Sequence, residues 1–170
     1  MALILDTIKG MNDYKYVSFL PSELKEPVLS ECYHMSKLCA EDHDRNILPF
    51  YKRSVSNVPS MDFWSLEDFK KQLNKDTIFF CVLDRNDKVV SMFTATPIDE
   101  DGLFAINTSD VYTLPEHRKK GLMVNNLKKA LAGFKAHDKA VFLRVVNTNV
   151  KAWKLYEKLG FQPFTTTMIL

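Results

Sequence analysis

Between residues 77 and 113 the chain offers three strand-length runs, "TIFFCVL" (77–83), "VVSMFTAT" (89–96) and "LFAINTSDVYT" (103–113). Only a tight turn around Asn86 and Asp87 and the short "DEDG" separate them, and such turn residues between β-rich runs mark strands. No helix fits in gaps so short, which constrains the fold more than any other feature. The pattern then changes. Met123, Leu127, Ala130 and Leu131 recur at helical spacing from Gly121 to about Phe134. "VFLRVV" (141–146) reads as a strand, and "NVKAWKLYEKLG" (149–160) as a helix with Asn149 as N-cap and Gly160 as its stop. "FQPFTTTMIL" predicts a closing strand.

Upstream, "YKYVSFL" (14–20) predicts the first strand. Pro27 suits the first turn of a helix that carries Val28, Cys32, Met35 and Cys39. Residues 41–60 show no clear period and hold two prolines, so most of that stretch reads as irregular. A second helix is expected over 65–74. Ser65 and Asp68 form a capping-box pattern, Trp64 and Phe69 a hydrophobic staple, and Leu66, Phe69 and Leu73 an apolar stripe. The order is β-α-α-β-β-β-α-β-α-β, a mixed α/β domain.

The 170 residues suffice for one domain with a real core. A net charge of +2 excludes a general polyanion-binding surface, so any phosphate recognition must be local. "MALILDTIKG" lacks the pattern of a signal peptide, and no apolar run reaches membrane-spanning length. Cys32, Cys39 and Cys81 show no metal-ligand spacing and no disulfide framework; they read as buried apolar filler in a reducing, cytoplasmic protein.

"HRKKGL" (117–122) places Arg118, Lys119 and Lys120 before Gly121 at a helix start. A helix N-terminus is itself electropositive, so cations there are misplaced unless an anion docks on them. Gly121 allows backbone to approach such a ligand. The alternative is a solvated turn. A Walker loop fails because the lysines precede the glycine and residues 110–120 contain no glycine; one glycine cannot make a dinucleotide fingerprint. A nucleic-acid surface built with Lys128 and Lys129 lacks a set of stacking aromatics, and no nucleic-acid or membrane partner is expected.

"VYTLPEHRKKGLM" resembles the signature of the GNAT superfamily of acyl-CoA-dependent N-acyltransferases, Arg/Gln-x-x-Gly-x-Gly/Ala, through Arg118, Gly121 and Met123. "FLRVVNTNVKAWKLYEKLGF" is similar to the family's second block through Leu143, Val145, Asn149, Ala152, Leu155, Tyr156, Glu157, Lys158, Gly160 and Phe161. The match covers roughly residues 103–162. It implies a single N-acetyltransferase domain over 1–170 with a mainly antiparallel mixed sheet, helices on both faces, and the fourth and fifth strands (103–113 and 141–146) splayed around the cofactor. In that reading acetyl-CoA is the acyl donor and no metal takes part. Val111, Tyr112 and Thr113 would bond the pantetheine arm through backbone. Arg118, Lys119, Lys120, Gly121, Leu122 and Met123 would wrap the pyrophosphate, Asn149 would help hold the pantetheine, and Tyr156 would lie near the thioester sulfur. Met123 stands where the motif prefers Gly or Ala, and Thr113 where an apolar residue is usual.

The implied activity is direct transfer of an acetyl group to a primary amine on a small molecule or a protein, by a monomer or homodimer. Tyr156 is the candidate general acid; the alternative makes it a core aromatic on the face of Ala152, Leu155 and Leu159. Strand parity puts Asn107, Ser109, Val111 and Thr113 on one face. None is a competent base, so a water relay through Asn107 and Ser109 is the expectation. Asp110 becomes the candidate base only if a bulge turns it into the cleft. Glu41, Asp42, His43 and Asp44 read either as a solvated acidic surface or as a lining for a cationic amine. A non-catalytic module of the same fold, holding CoA or a protein, is the alternative function.

Overall fold

The computed structural model describes residues 4–5, 13–54, 65–100 and 102–164. Six strands form one sheet in the order β1 (Ile4–Leu5), β2 (Tyr14–Phe19), β3 (Ile78–Asp84), β4 (Val89–Glu100), β5 (Leu103–Thr113) and β6 (Ala140–Leu143). Neighbours run antiparallel except the last pair, β5 and β6, which is parallel. A parallel pair needs a crossover, and α3 (Leu122–Ala136) supplies it. The remaining helices are α1 (Val28–Ser54), α2 (Leu66–Gln72) and α4 (Val150–Lys158).

The sheet is covered on both sides, which is why β3 is apolar but for its last residue and residues 89–95 of β4 are all buried. One cluster joins Cys32 and Met35 of α1 and Phe69 of α2 to Phe79, Cys81, Val90 and Met92. The other joins Met123, Leu127 and Ala130 of α3 and Tyr156 of α4 to Phe80, Phe93 and Ile106. Phe80 and Phe93 stack at 4.8 Å in that second layer. Buried Asn126 donates from Nδ2 to the Phe80 carbonyl at 3.0 Å, fixing α3 against the sheet.

Most elements match their sequence signals. Ser65 and Asp68 exchange the reciprocal capping-box bonds; Trp64, the other half of the expected staple, lies outside the described residues. Asn149 Oδ1 accepts from the Ala152 amide as N-cap of α4, and Gly160 follows that helix with φ of +92°. Four expectations need correction. The short β1 was not foreseen. Residues 41–54 are helical, so α1 runs on for 27 residues, past Pro49. An Asp42–Arg45 ion pair at 3.1 Å and a bond from Asn46 Nδ2 to the Asp42 carbonyl support the extension. β6 ends at Leu143 rather than Val146, and residues 161–164 form no strand; 165–170 lie outside the described residues.

Candidate active site

β5 and β6 pair only from Ala105–Ala140 to Thr108–Leu143. Beyond that point no pairing joins them, and among the described residues the end of β5 has no strand partner on that side. At the same place β5 carries a β-bulge. Met92 pairs with Tyr112 but Thr94 pairs with Ser109, so Asp110 and Val111 together oppose Phe93. Asp110 takes the left-handed conformation, with φ of +51°. Asp tolerates that region better than most residues, although it remains uncommon there.

The bulge overturns strict strand parity. Val111, expected to share a face with Asn107 and Ser109, packs instead with the α3/α4 cluster. Asp110 turns to the α1 side. Thr94 Oγ1 donates to Asp110 Oδ2 at 3.2 Å and lies 2.8 Å from Ser109 Oγ. A hydroxyl has one proton to give, so with Thr94 donating to Asp110, Ser109 donates to Thr94. Asp110 is half-buried, and burial raises its pKa from 3.8; the Thr94 and Ser36 hydroxyls oppose that rise.

Two further groups share this region. Cys39 of α1 points its thiol at the Val111 carbonyl, 3.8 Å away. Burial lifts its pKa to about 12, with added repulsion from Asp110 and then Asp42. The Tyr156 phenol is likewise raised to about 12, first by burial and then by the nearby Cys39. The ring is buried and meets Phe161 edge-on at 5.9 Å. Both groups are protonated at neutral pH: Tyr156 can donate a hydrogen, and Cys39 is no nucleophile. A carboxylate, a thiol and a phenol from β5, α1 and α4 therefore converge near the splay. Cys39 was read as apolar filler, and no sequence signal marked it otherwise.

The turn after β5 resolves the misplaced charge. Arg118 Nε donates to the Thr113 carbonyl at 2.9 Å, its guanidinium lies 5.2 Å from the Tyr112 ring centroid, and Nη2 reaches Asp42 Oδ2 at 3.4 Å. Lys120 Nζ donates to the Tyr14 hydroxyl at 2.9 Å. These two cations are drawn to either side of the turn. Lys119 and Gly121 both take positive φ, +65° and +73°. The first backbone bond of α3 runs from Asn125 N–H to the Gly121 carbonyl, which leaves the amides of Leu122, Met123 and Val124 without intrahelical acceptors. Three unspent N–H groups at the positive end of a helix suit an anion. Met123 buries its side chain in the α3/α4 cluster, away from that anion position.

Asn149 spends Oδ1 on its own helix, so only its amide nitrogen can donate to a ligand. The acidic segment divides. Asp42 is paired with Arg45 and Arg118, His43 is exposed, and Asp44 is buried. It is thus not a uniformly solvated acidic surface. Among the described residues no group of three or more His, Cys, Asp or Glu is arranged to hold a metal ion, and no helix is long and apolar enough to cross a membrane.

The family model of the GNAT acetyltransferases matches residues 46–161, and the chain belongs to that family. Solved structures agree on the fold. One described as a predicted acetyltransferase with acetyl-CoA, from Clostridium acetobutylicum, superposes with a TM-score of 0.64 at 16% identity, covering 92% of this chain and 95% of its own. A GCN5-related N-acetyltransferase from Ralstonia eutropha gives 0.65 at 12% identity over 92% and 97%. An aminoglycoside acetyltransferase from an uncultured soil sample gives 0.59 at 15% identity over 92% and 97%. No curated protein matches the chain by sequence.

Proposed function

We propose that this chain, acting as one domain over residues 1–170, transfers an acetyl group from acetyl-CoA directly to a primary amine. Asp110 serves as base and Tyr156 as acid. The observation that carries this reading is the bulge that sets Asp110 facing α1 where β5 and β6 part. The non-catalytic alternative rested on the absence of an obvious base and on Met123; Asp110 would supply the base, and the Met123 side chain packs into the α3/α4 cluster.

Bound acetyl-CoA would supply an activated acyl thioester; the chain's residues do the rest. The amides of Leu122 and Met123, with the backbone of Lys119, Lys120 and Gly121, would hold the pyrophosphate, and Arg118 would add charge at its side. The edge of β5 at Val111–Thr113 that faces away from β4, which has no strand partner among the described residues, would hold the pantetheine arm with Asn149. An alkylammonium carries a proton it must lose before attack, and Asp110 takes it. The nitrogen–carbon bond forms as the carbon–sulfur bond breaks. Tyr156 donates to the departing sulfur, the second proton shed by the nitrogen returns to the Tyr156 phenolate, and Asp110 releases its proton to water.

Magnitudes set the weight of each role. An Asp carboxylate raised by burial is better matched to neutral pH than an ordinary one. A phenol near 12 is a weak acid toward a thiolate whose own pKa is about 8.5. Tyr156 therefore contributes a strong hydrogen bond and partial proton transfer, not the full range of general acid catalysis.

The test is thiol release from acetyl-CoA with a panel of amines, products read by mass spectrometry. The panel includes an aminoglycoside, a linear polyamine, free lysine and a peptide with a free N-terminus. Acetylation of at least one amine supports the reading. Tight acetyl-CoA binding with no release above hydrolysis for any acceptor favours the binding module.

A further inference from the structure

We infer that Ser36, on the face of α1 that covers the bulge, is a positioning residue that holds the Asp110 carboxylate toward the splayed strands. The inference rests on the reading of Asp110 as base. Ser36 is only 3% exposed, and its Oγ makes no hydrogen bond of good geometry. Buried hydroxyls are seldom left so, and an unpaired one calls for an explanation. The group it faces is Asp110, whose other hydrogen-bond partner is the Thr94 hydroxyl.

The geometry of α1 gives Ser36 this place. Cys39, three residues on and therefore on the same helical face, reaches the Val111 carbonyl, next to Asp110 on the bulge. One more turn along, Asp42 meets Arg118. The stripe Ser36–Cys39–Asp42 thus runs from the bulge to the anion turn. β4 offers Asp110 the neutral hydroxyl of Thr94, which Ser109 of β5 in turn meets at 2.8 Å. The titratable and charged groups on that side are Cys39, then Asp42 with Arg118, and Tyr156 from α4 beside Cys39. Cys39 and Tyr156, both raised to about 12, stay neutral at neutral pH. The state of Asp110 is governed by burial and by the Thr94 and Ser36 hydroxyls.

A hydroxyl donor favours the ionised carboxylate. When the acceptor's proton arrives, that bond weakens; when it leaves, the bond reforms. Ser36 would hold the carboxylate in one rotamer through both states, in which Thr94 secures one oxygen and Ser36 the other.

The experiment is a carbon-13 carboxyl NMR titration of Asp110 in the wild type, Ser36→Ala and Ser36→Thr, with acetyl-CoA present and the resonance assigned through Asp110→Asn. It needs no acceptor. Ser36→Ala is expected to move the Asp110 midpoint to higher pH by at least about half a unit, and Ser36→Thr to restore it. A folded Ser36→Ala protein with an unchanged midpoint overturns the inference. The acidic limb of kcat/KM, measured with the fastest amine of the panel, should move by the same amount. An NMR shift with an unmoved limb keeps the Ser36–Asp110 contact but overturns Asp110 as base, and with it the catalytic meaning of Ser36. Lower thermal stability of Ser36→Ala with neither shift assigns Ser36 to packing alone and also counts against the inference.

Discussion

The two sides of the sheet differ in how they are built. On the α3/α4 side a local sequence signal fixes each piece: Gly121 opens α3, Asn149 caps α4, and Met123 and Leu127 bury beside Tyr156. On the α1/α2 side the functional groups come from distant parts of the chain. Ser36 and Cys39 meet Asp110 and Val111, and Asp42 meets Arg118, 76 residues away. Under the proposed function the first side would take the acyl donor, with its constant pyrophosphate and pantetheine, and the second would face the acceptor amine.

The sharpest way to break this comparison is to remove a group that packs on the α3/α4 side but is proposed to act on the chemistry. Tyr156→Phe keeps the ring packed against Phe161 and deletes the hydroxyl. We expect kcat to fall about tenfold to a hundredfold, at the low end of general acid catalysis, with acetyl-CoA affinity near wild type. Stopped-flow turnover and calorimetry check both halves. Wild-type turnover would leave Tyr156 as a core aromatic.

The next effect tests the anion turn. A Cβ at Gly121 has space, its nearest neighbour being Asn125 Nδ2 at 3.8 Å, so crowding is not the problem. The φ of +73° is, because a β-branched residue resists that conformation. Gly121→Val should re-aim the amides that follow and weaken acetyl-CoA binding at least tenfold, about 1.4 kcal/mol by calorimetry. Gly121→Ala should lose less. Equal, unchanged affinities would remove the pyrophosphate from this turn.

A smaller effect lies in stability. Burial raises the folded-state pKa of Asp110 above its unfolded value of 3.8. Between the two values the folded protein binds the proton more tightly, so the wild type loses stability as pH rises through that window. Asp110→Asn removes the burden. Its melting temperature should match or exceed that of the wild type below pH 4, and its advantage should grow above it. An asparagine variant that melts lower at pH 7 than the wild type, by the same scan, would contradict the buried placement of the carboxylate.

How far the sequence reaches follows from the same division. Elements set by local chemistry, such as the Ser65 cap, the β5 run and the Gly121 helix start, could be read directly. The extension of α1 to Ser54 could not, because it depends on an ion pair and a side-chain bond within a polar stretch that has no apolar period. Cys39 and Ser36 lay hidden for a different reason: a helix stripe gains meaning only from the strand it covers. Asp110 falls between these cases. Strict alternation along β5 would turn it away from α1, and one extra residue in the strand turns it toward that helix. Nothing in "NTSDVYT" marks where that residue is inserted.

The central claim is that this bulge makes Asp110 the base, and the pH dependence of kcat/KM in wild type and Asp110→Asn tests it most directly. The account predicts an acidic limb in the wild type with a midpoint above 3.8, its loss in Asp110→Asn, and a fall of at least about a hundredfold at pH 7. A loss under tenfold with the limb intact would contradict it and return deprotonation to a water relay through Asn107 and Ser109.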